Sequence, residues 1–320
     1  MRILITLLLI YNLHYLGFGQ TVGFDNPNIN LNLNKGFDIA YSYVVDNKPH
    51  LFCYDTHTGK AAFWNMNQSD KPIVSLSIGT NWDFFTVVNG SHNDQLYLLA
   101  DSKGGKIKIS KDILEIANNN QSDFDSGLEN EQWSSTQMIT IKNTNYLFRY
   151  SNVTRTTILN RIDSNTNQID IKSQKYELAP NWDSFGITNT DKELYMLKHS
   201  KFQKQIVVER IQFQKFSDNE LPGANLFENN KQLEYDTKNS WTESRIFLAN
   251  KKLYLLLYSA TSGDIQLLLI DDSMTHINSI YKTNWSKGWS NFNVIFLENV
   301  PYLFHHKEAN GLARISKIIL

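Results

Sequence analysis

The stretch Trp241-Thr242-Glu243-Ser244-Arg245-Ile246-Phe247-Leu248-Ala249-Asn250-Lys251-Lys252-Leu253-Tyr254-Leu255-Leu256-Leu257-Tyr258-Ser259-Ala260-Thr261-Ser262-Gly263-Asp264-Ile265-Gln266-Leu267-Leu268-Leu269 runs from an aromatic marker to a compact apolar run, a polar turn with glycine and a second apolar run. A sheet with one wet face would alternate apolar and polar residues, but Leu253–Tyr258 is apolar at every position. Both faces of such a strand must be covered. The same order recurs along the chain. The markers are Phe37, Trp82, Trp133, Trp182, Trp241 and Trp285, at intervals of 45, 51, 49, 59 and 44 residues. Compact apolar runs follow at Leu51–Tyr54, Leu96–Leu99, Tyr146–Phe148, Leu194–Leu197 and Tyr302–Phe304. Polar turns with glycine come next at Thr58-Gly59, Gly104-Gly105 and Asn310-Gly311.

Each unit therefore reads as four strands over about fifty residues, which is the period of a propeller blade. Six units predict an all-β, six-bladed β-propeller with four-stranded blades, starting near 37, 82, 133, 182, 241 and 285. The ends support this reading. The last unit, from Trp285 to Leu320, is one strand short. Residues 21–36 belong to no unit, and Ile29-Asn30-Leu31-Asn32-Leu33-Asn34 has the period of a strand. The amino-terminal strand is expected to pair into the last blade and close the ring, which removes exposed sheet edges.

Met1-Arg2 precedes the apolar run Ile3–Ile10, and Gly17 and Gly19 follow with small-x-small spacing. This predicts a signal peptide over 1–19, a secreted chain in which 20–320 forms one domain, and no integral membrane segment after cleavage. The net charge of −1 gives no electrostatic reason to bind nucleic acid. Cys53 is the one cysteine, so no internal disulfide forms, and its apolar run predicts a buried thiol. Sequons at Asn67, Asn89, Asn120, Asn152 and Asn284 are candidate glycosylation sites.

The pattern resembles secreted short-repeat β-propellers, including the six-bladed fungal-type fucose lectins, in fold size and blade count. That resemblance implies sugar pockets between blades. On it rests the leading expectation of a non-catalytic, lectin-like protein whose partners are glycans or glycoproteins. The alternatives are a secreted protein-binding scaffold and a glycoside hydrolase or lyase with acids at the channel mouth.

Candidate ligand contacts are Trp82, Trp133, Trp182, Trp241, Trp285 and Trp289, whose indole faces suit the C–H face of a sugar. Packing between blades is the competing explanation for a Trp at one fixed place per repeat. Trp289 and Trp64 lie off the repeat register, which favours Trp289 as a ligand contact. Arg149 and Arg245 are candidate donors to sugar hydroxyls or carboxylates. A short oxygen-bearing residue follows each marker: Asp38, Asp83, Ser134, Asp183, Thr242 and Ser286. Asp38, Asp83 and Asp183 would offer oxygens to a cation such as Ca²⁺ at the channel mouth, although such residues also cap turns. No resident cofactor is expected. The stretch Asp123–Gly127 lacks the full ligand set of a helical calcium loop. It and Phe216–Asn230 are long polar inserts, where blade-specific function is expected. No GxSxG, HExxH, P-loop or GxGxxG motif occurs.

Overall fold

The computed structural model describes residues 22–320 except 26–28, 34–35, 68–70, 90–94, 103–105, 113, 116–131, 143, 163–168, 179–180, 191, 213–225, 229 and 238. The expected leader at 1–19, the stretch 123–127 and the sequons at Asn89 and Asn120 lie outside the described residues or side chains. No helix among the described residues is long and apolar enough to cross a membrane.

The chain begins with β1 (Gly23–Phe24) and β2 (Ile29–Asn32). Blade 1 follows as β3 (Ile39–Val45), β4 (Lys48–Tyr54), β5 (Lys60–Asn65) and β6 (Val74–Ser77). Blade 2 shows three described strands, β7 (Phe84–Asn89), β8 (Gln95–Ala100) and β9 (Ile107–Ser110). Blade 3 is β10 (Ser135–Ile141), β11 (Thr144–Tyr150), β12 (Thr156–Ile162) and β13 (Ile169–Glu177). Blade 4 is β14 (Ser184–Asn189), β15 (Glu193–Ser200), β16 (Gln205–Gln212) and β17 (Lys231–Asp236). Blade 5 is β18 (Glu243–Ala249), β19 (Lys252–Tyr258), β20 (Asp264–Ile270) and β21 (Ile277–Asn284). Blade 6 is β22 (Ser290–Leu297), β23 (Val300–Lys307) and β24 (Leu312–Ile319). Within each blade the strands pair antiparallel in chain order. The first strands of consecutive blades contact one another in turn, β3, β7, β10, β14, β18, β22 and back to β3. The result is a six-bladed propeller around a central channel.

Ring closure is as the end pattern predicts. β2 pairs antiparallel with β24, Leu31 opposite Ala313 and Ile29 opposite Ile315. β1 continues along the same strand, Phe24 opposite Ile318. The Leu33 amide donates to the Gly311 carbonyl at 2.7 Å. Leu31 and Leu33 are buried against Leu51, Trp64 and Met66 of blade 1 and Phe304 and Ile315 of blade 6.

The buried apolar residues fall into six clusters, one per blade-to-blade interface. Alternate residues of one strand serve opposite interfaces. In β4, Leu51 and Cys53 face blade 6, while Phe52 and Tyr54 face blade 2. This is why the second strand of each blade is buried on both faces and carries a run of consecutive apolar residues. It also settles Cys53, which is fully buried, with desolvation raising its thiol pKa.

Two turns show how the blades are locked. The Gly59 amide donates to the Asp55 carbonyl and the Ile78 amide to the Gly59 carbonyl. Gly263 does the same between Ser259 and Trp285. Both glycines have positive φ, +72° and +84°. A Cβ at Gly263 would lie 2.2 Å from the Trp285 carbonyl oxygen, so only glycine fits.

That equivalence corrects the register of blade 6. Trp285 occupies the place of Ile78, and Trp289 the place of Trp82. The Tyr54 hydroxyl donates to the Gly79 carbonyl and accepts from the Trp82 amide. The Tyr258 hydroxyl likewise donates to the Ser286 carbonyl and accepts from the Trp289 amide. Trp289 is therefore the marker of the sixth blade, Ser290 is the oxygen-bearing residue after it, and Trp285 is the additional aromatic.

Candidate functional site

All six first strands run in the same direction, so their starts gather at one end of the channel. The channel has a volume of about 520 Å³, and Asp83, Thr86, Gln137, Asp183, Arg245 and Asn293 are among the polar residues lining it. Tyr41, Phe85, Phe185 and Phe292 supply aromatic wall.

Polar side chains stitch the first strands together. Gln137 donates its amide to the Phe185 carbonyl at 2.7 Å, from blade 3 to blade 4. Asn293 donates to the Ser42 carbonyl, from blade 6 to blade 1. Arg245 donates through Nε to the Phe292 carbonyl, from blade 5 to blade 6. Its remaining nitrogens reach the Ser244 carbonyl and Glu243 Oε2, the latter at 3.1 Å.

The residues after the markers form one capping system. Asp38 accepts from the Thr56 amide at 3.0 Å and from the Thr56 hydroxyl. Asp83 Oδ2 accepts from the Ser102 amide at 2.8 Å and from its hydroxyl. Asp183 Oδ2 accepts from the Lys201 amide at 2.6 Å. The Ser134 and Thr242 hydroxyls accept from the Asn152 and Ala260 amides. Each cap ties the start of a first strand to the turn after the second strand of its own blade. The carboxylates are thereby fixed in rotamer. Asp83 and Asp183, which line the channel, each keep Oδ1 without a hydrogen-bond partner among the described residues. No group of three or more His, Cys, Asp or Glu side chains is placed to hold a metal ion among the described residues. Asp38, Asp83 and Asp183 each serve a separate turn.

The marker tryptophans lie inside the blades. Trp82, Trp133, Trp182, Trp241 and Trp289 are all buried. Four of them carry a cation from their own blade over the ring: Lys108 at 5.3 Å from Trp82, Arg149 at 4.5 Å from Trp133, Lys198 at 5.6 Å from Trp182, and Arg314 and Lys307 at 5.2 and 5.9 Å from Trp289. Arg149 is 1% exposed and donates to Asn160 Oδ1. Lys198 meets Glu209 at 2.8 Å, and Glu209 is fully buried. Trp285 is half-buried, edge-on to Phe24 and tilted on His305. Burial also decides the histidines. Desolvation lowers His305 to about 3 and His199 and His306 to about 4, so all three are neutral at pH 7. The channel carboxamides Gln137 and Asn293 and the Lys198–Glu209 pair carry no sequence motif. Their only signal is a polar residue inside an apolar strand.

No protein-family model matches the sequence, and no curated protein matches it. Solved structures share its fold. A protein of the DUF4623 family from Bacteroides eggerthii superposes with TM-score 0.55 at 14% identity, covering 94% of this chain and 77% of the other. A protein of unknown function from Dyadobacter fermentans gives TM-score 0.57 at 8% identity, covering 92% and 99%. A GH43 β-1,3-galactosidase with galactodeoxynojirimycin gives 0.50 at 7%, covering 82% and 100%. The expectation of a non-catalytic lectin is corrected here. The propeller with a stated activity among these neighbours is a glycoside hydrolase, and the tryptophans that a stacking lectin would present are mostly enclosed between blades.

Proposed function

We propose that this propeller hydrolyses a glycan that enters the central channel at the end where the six first strands begin. Asp83 and Asp183 are the two candidate acids of this reading; they stand at the starts of the first strands of blades 2 and 4, with blade 3 between them. The observation that carries it is the pair itself: two acids on the rim of one channel, each anchored through Oδ2 and uncommitted at Oδ1. Glycoside hydrolysis needs one carboxylic acid to protonate the leaving oxygen. It also needs a second carboxylate to activate water or to attack the sugar. The turn amides hold both side chains before substrate arrives, which supplies the preorganisation such a site requires. Tyr41, part-exposed on the channel wall, offers apolar surface to a sugar C–H face. The activity of the galactosidase neighbour makes β-1,3-linked galactose the first substrate class to test. The amino-terminal pattern supports an exported enzyme with glycans as its partners.

The test is release of reducing sugar from β-1,3-galactan and a panel of other glycans by the purified protein. Asp83→Asn and Asp183→Asn should each lower turnover about 10²- to 10⁴-fold with unchanged melting temperature. Product release that survives both substitutions would place the chemistry elsewhere. A folded protein that releases nothing from any glycan would end the hydrolase reading.

A further inference from the structure

The cavities beside Trp182 and Trp289 are built on one plan. In blade 4, Ser184 pairs with His199 and Lys198 with Val207, and Glu209 lies two residues beyond Val207 on β16. In blade 6, Ser290 pairs with His306 and His305 with Arg314, and Ser316 lies two residues beyond Arg314 on β24. His305 thus takes the place of Lys198, Arg314 that of Val207, and Ser316 that of Glu209. Trp182, Lys198, Val207 and Glu209 line the first cavity. Trp289, His305, Arg314 and Ser316 line the second, which has a volume of about 260 Å³.

The charges differ. In blade 4 the cation is neutralised inside the protein by Glu209. In blade 6 the cation on the lining is Arg314, one strand further out, whose guanidinium lies 5.2 Å over the Trp289 ring, and Lys307 reaches the same ring at 5.9 Å. The acid has been replaced by a serine. His305 is 2% exposed, and neither of its ring nitrogens has a hydrogen-bond partner among the described residues. Arg314 Nε is also buried without a partner there. Asp25, the one acid on the lining, forms no ion pair with Arg314. Phe24, Tyr281 and Trp285 wall the opening with aromatic surface. A guanidinium half-withdrawn from water and in no ion pair among the described residues favours an incoming carboxylate, because charge-assisted bonds gain strength as water is excluded.

We propose that the cavity between blades 5 and 6 binds a ring-bearing organic carboxylate. Its carboxylate meets Arg314 and supplies the charge that Glu209 supplies in blade 4, while its ring lies against Trp285. An aromatic acid and a sugar acid share this chemistry. Titration with sodium benzoate and sodium D-glucuronate, followed by tryptophan fluorescence and melting temperature, tests the site and separates the two sources. A saturable response to either acid is expected, with none to benzamide, glucose or sodium chloride at equal concentration. Arg314→Gln should weaken binding about tenfold or more. Ser316→Glu, which puts an acid where blade 4 carries Glu209 and beside Arg314 on the same strand, should abolish binding while keeping or raising the melting temperature. A response that chloride reproduces, one that survives Arg314→Gln, or no response to either acid by folded protein would overturn the proposal.

Discussion

Leu33→Ala probes ring closure with little else disturbed. The Leu33 side chain is 3% exposed and sits where blade 6 meets blade 1. Its amide bond to Gly311 is made by backbone and survives the substitution. Truncating a buried Leu costs the lost transfer energy plus the cavity left behind, about 3 kcal/mol. For a domain of this length, each kcal/mol lowers the melting temperature by about 2 °C, so a fall of about 6 °C is expected. Differential scanning calorimetry reads it. Asn32→Ala is the matched control, because Asn32 is the exposed neighbour and should cost under about 0.5 kcal/mol. If Leu33→Ala melts with the wild type, the amino-terminal segment does not close the ring in solution and the packing of blade 6 is misassigned.

Three further outcomes follow from buried groups. Glu209→Ala leaves Lys198 inside the protein without its partner and should cost about 3 to 5 kcal/mol by denaturant titration. A Lys198→Met/Glu209→Leu double variant should recover most of that, and equal losses in the two would refute the pair's role. His199, His305 and His306 have folded-state pKa values below the unfolded value of 6.5. Their contribution is complete above about pH 6.5 and is lost as the unfolded chain takes up protons on acidification toward about 4. The melting temperature should therefore fall steeply between pH 6.5 and 4 and less steeply in His306→Gln; a flat profile would contradict neutral burial. Gly263→Ala, forced against the Trp285 carbonyl at positive φ, should destabilise by more than about 1 kcal/mol, which urea unfolding would show.

The architecture was legible because each blade repeats the same physical problem. A second strand covered on both faces carries consecutive apolar residues in place of alternation, and Leu253–Tyr258 shows that directly. The unpaired strand Ile29–Asn34 exposed the closure, since one strand was missing at the other end. The sixth start was misplaced by four residues because Trp285 and Trp289 are both aromatic. Backbone bonding distinguishes them: the Trp285 amide donates to the Gly263 carbonyl, and the Trp289 amide to the Tyr258 hydroxyl. The site was less legible. A marker Trp looks the same in sequence whether it faces a sugar or a lysine of its own blade, as Trp182 does. Lys198 and Glu209 are separated by a turn and meet only through the β15–β16 register. The caps at Asp83 and Asp183 were legible as turn residues, but their free second oxygens were not.

The most direct test of the central claim is a crystal structure of the Asp183→Asn variant soaked with a β-1,3-linked galactose oligosaccharide. The account predicts sugar density in the channel, with a glycosidic oxygen within hydrogen-bond reach of Asp83 or Asn at 183. An empty channel with sugar bound only on the outer faces of the blades would contradict it.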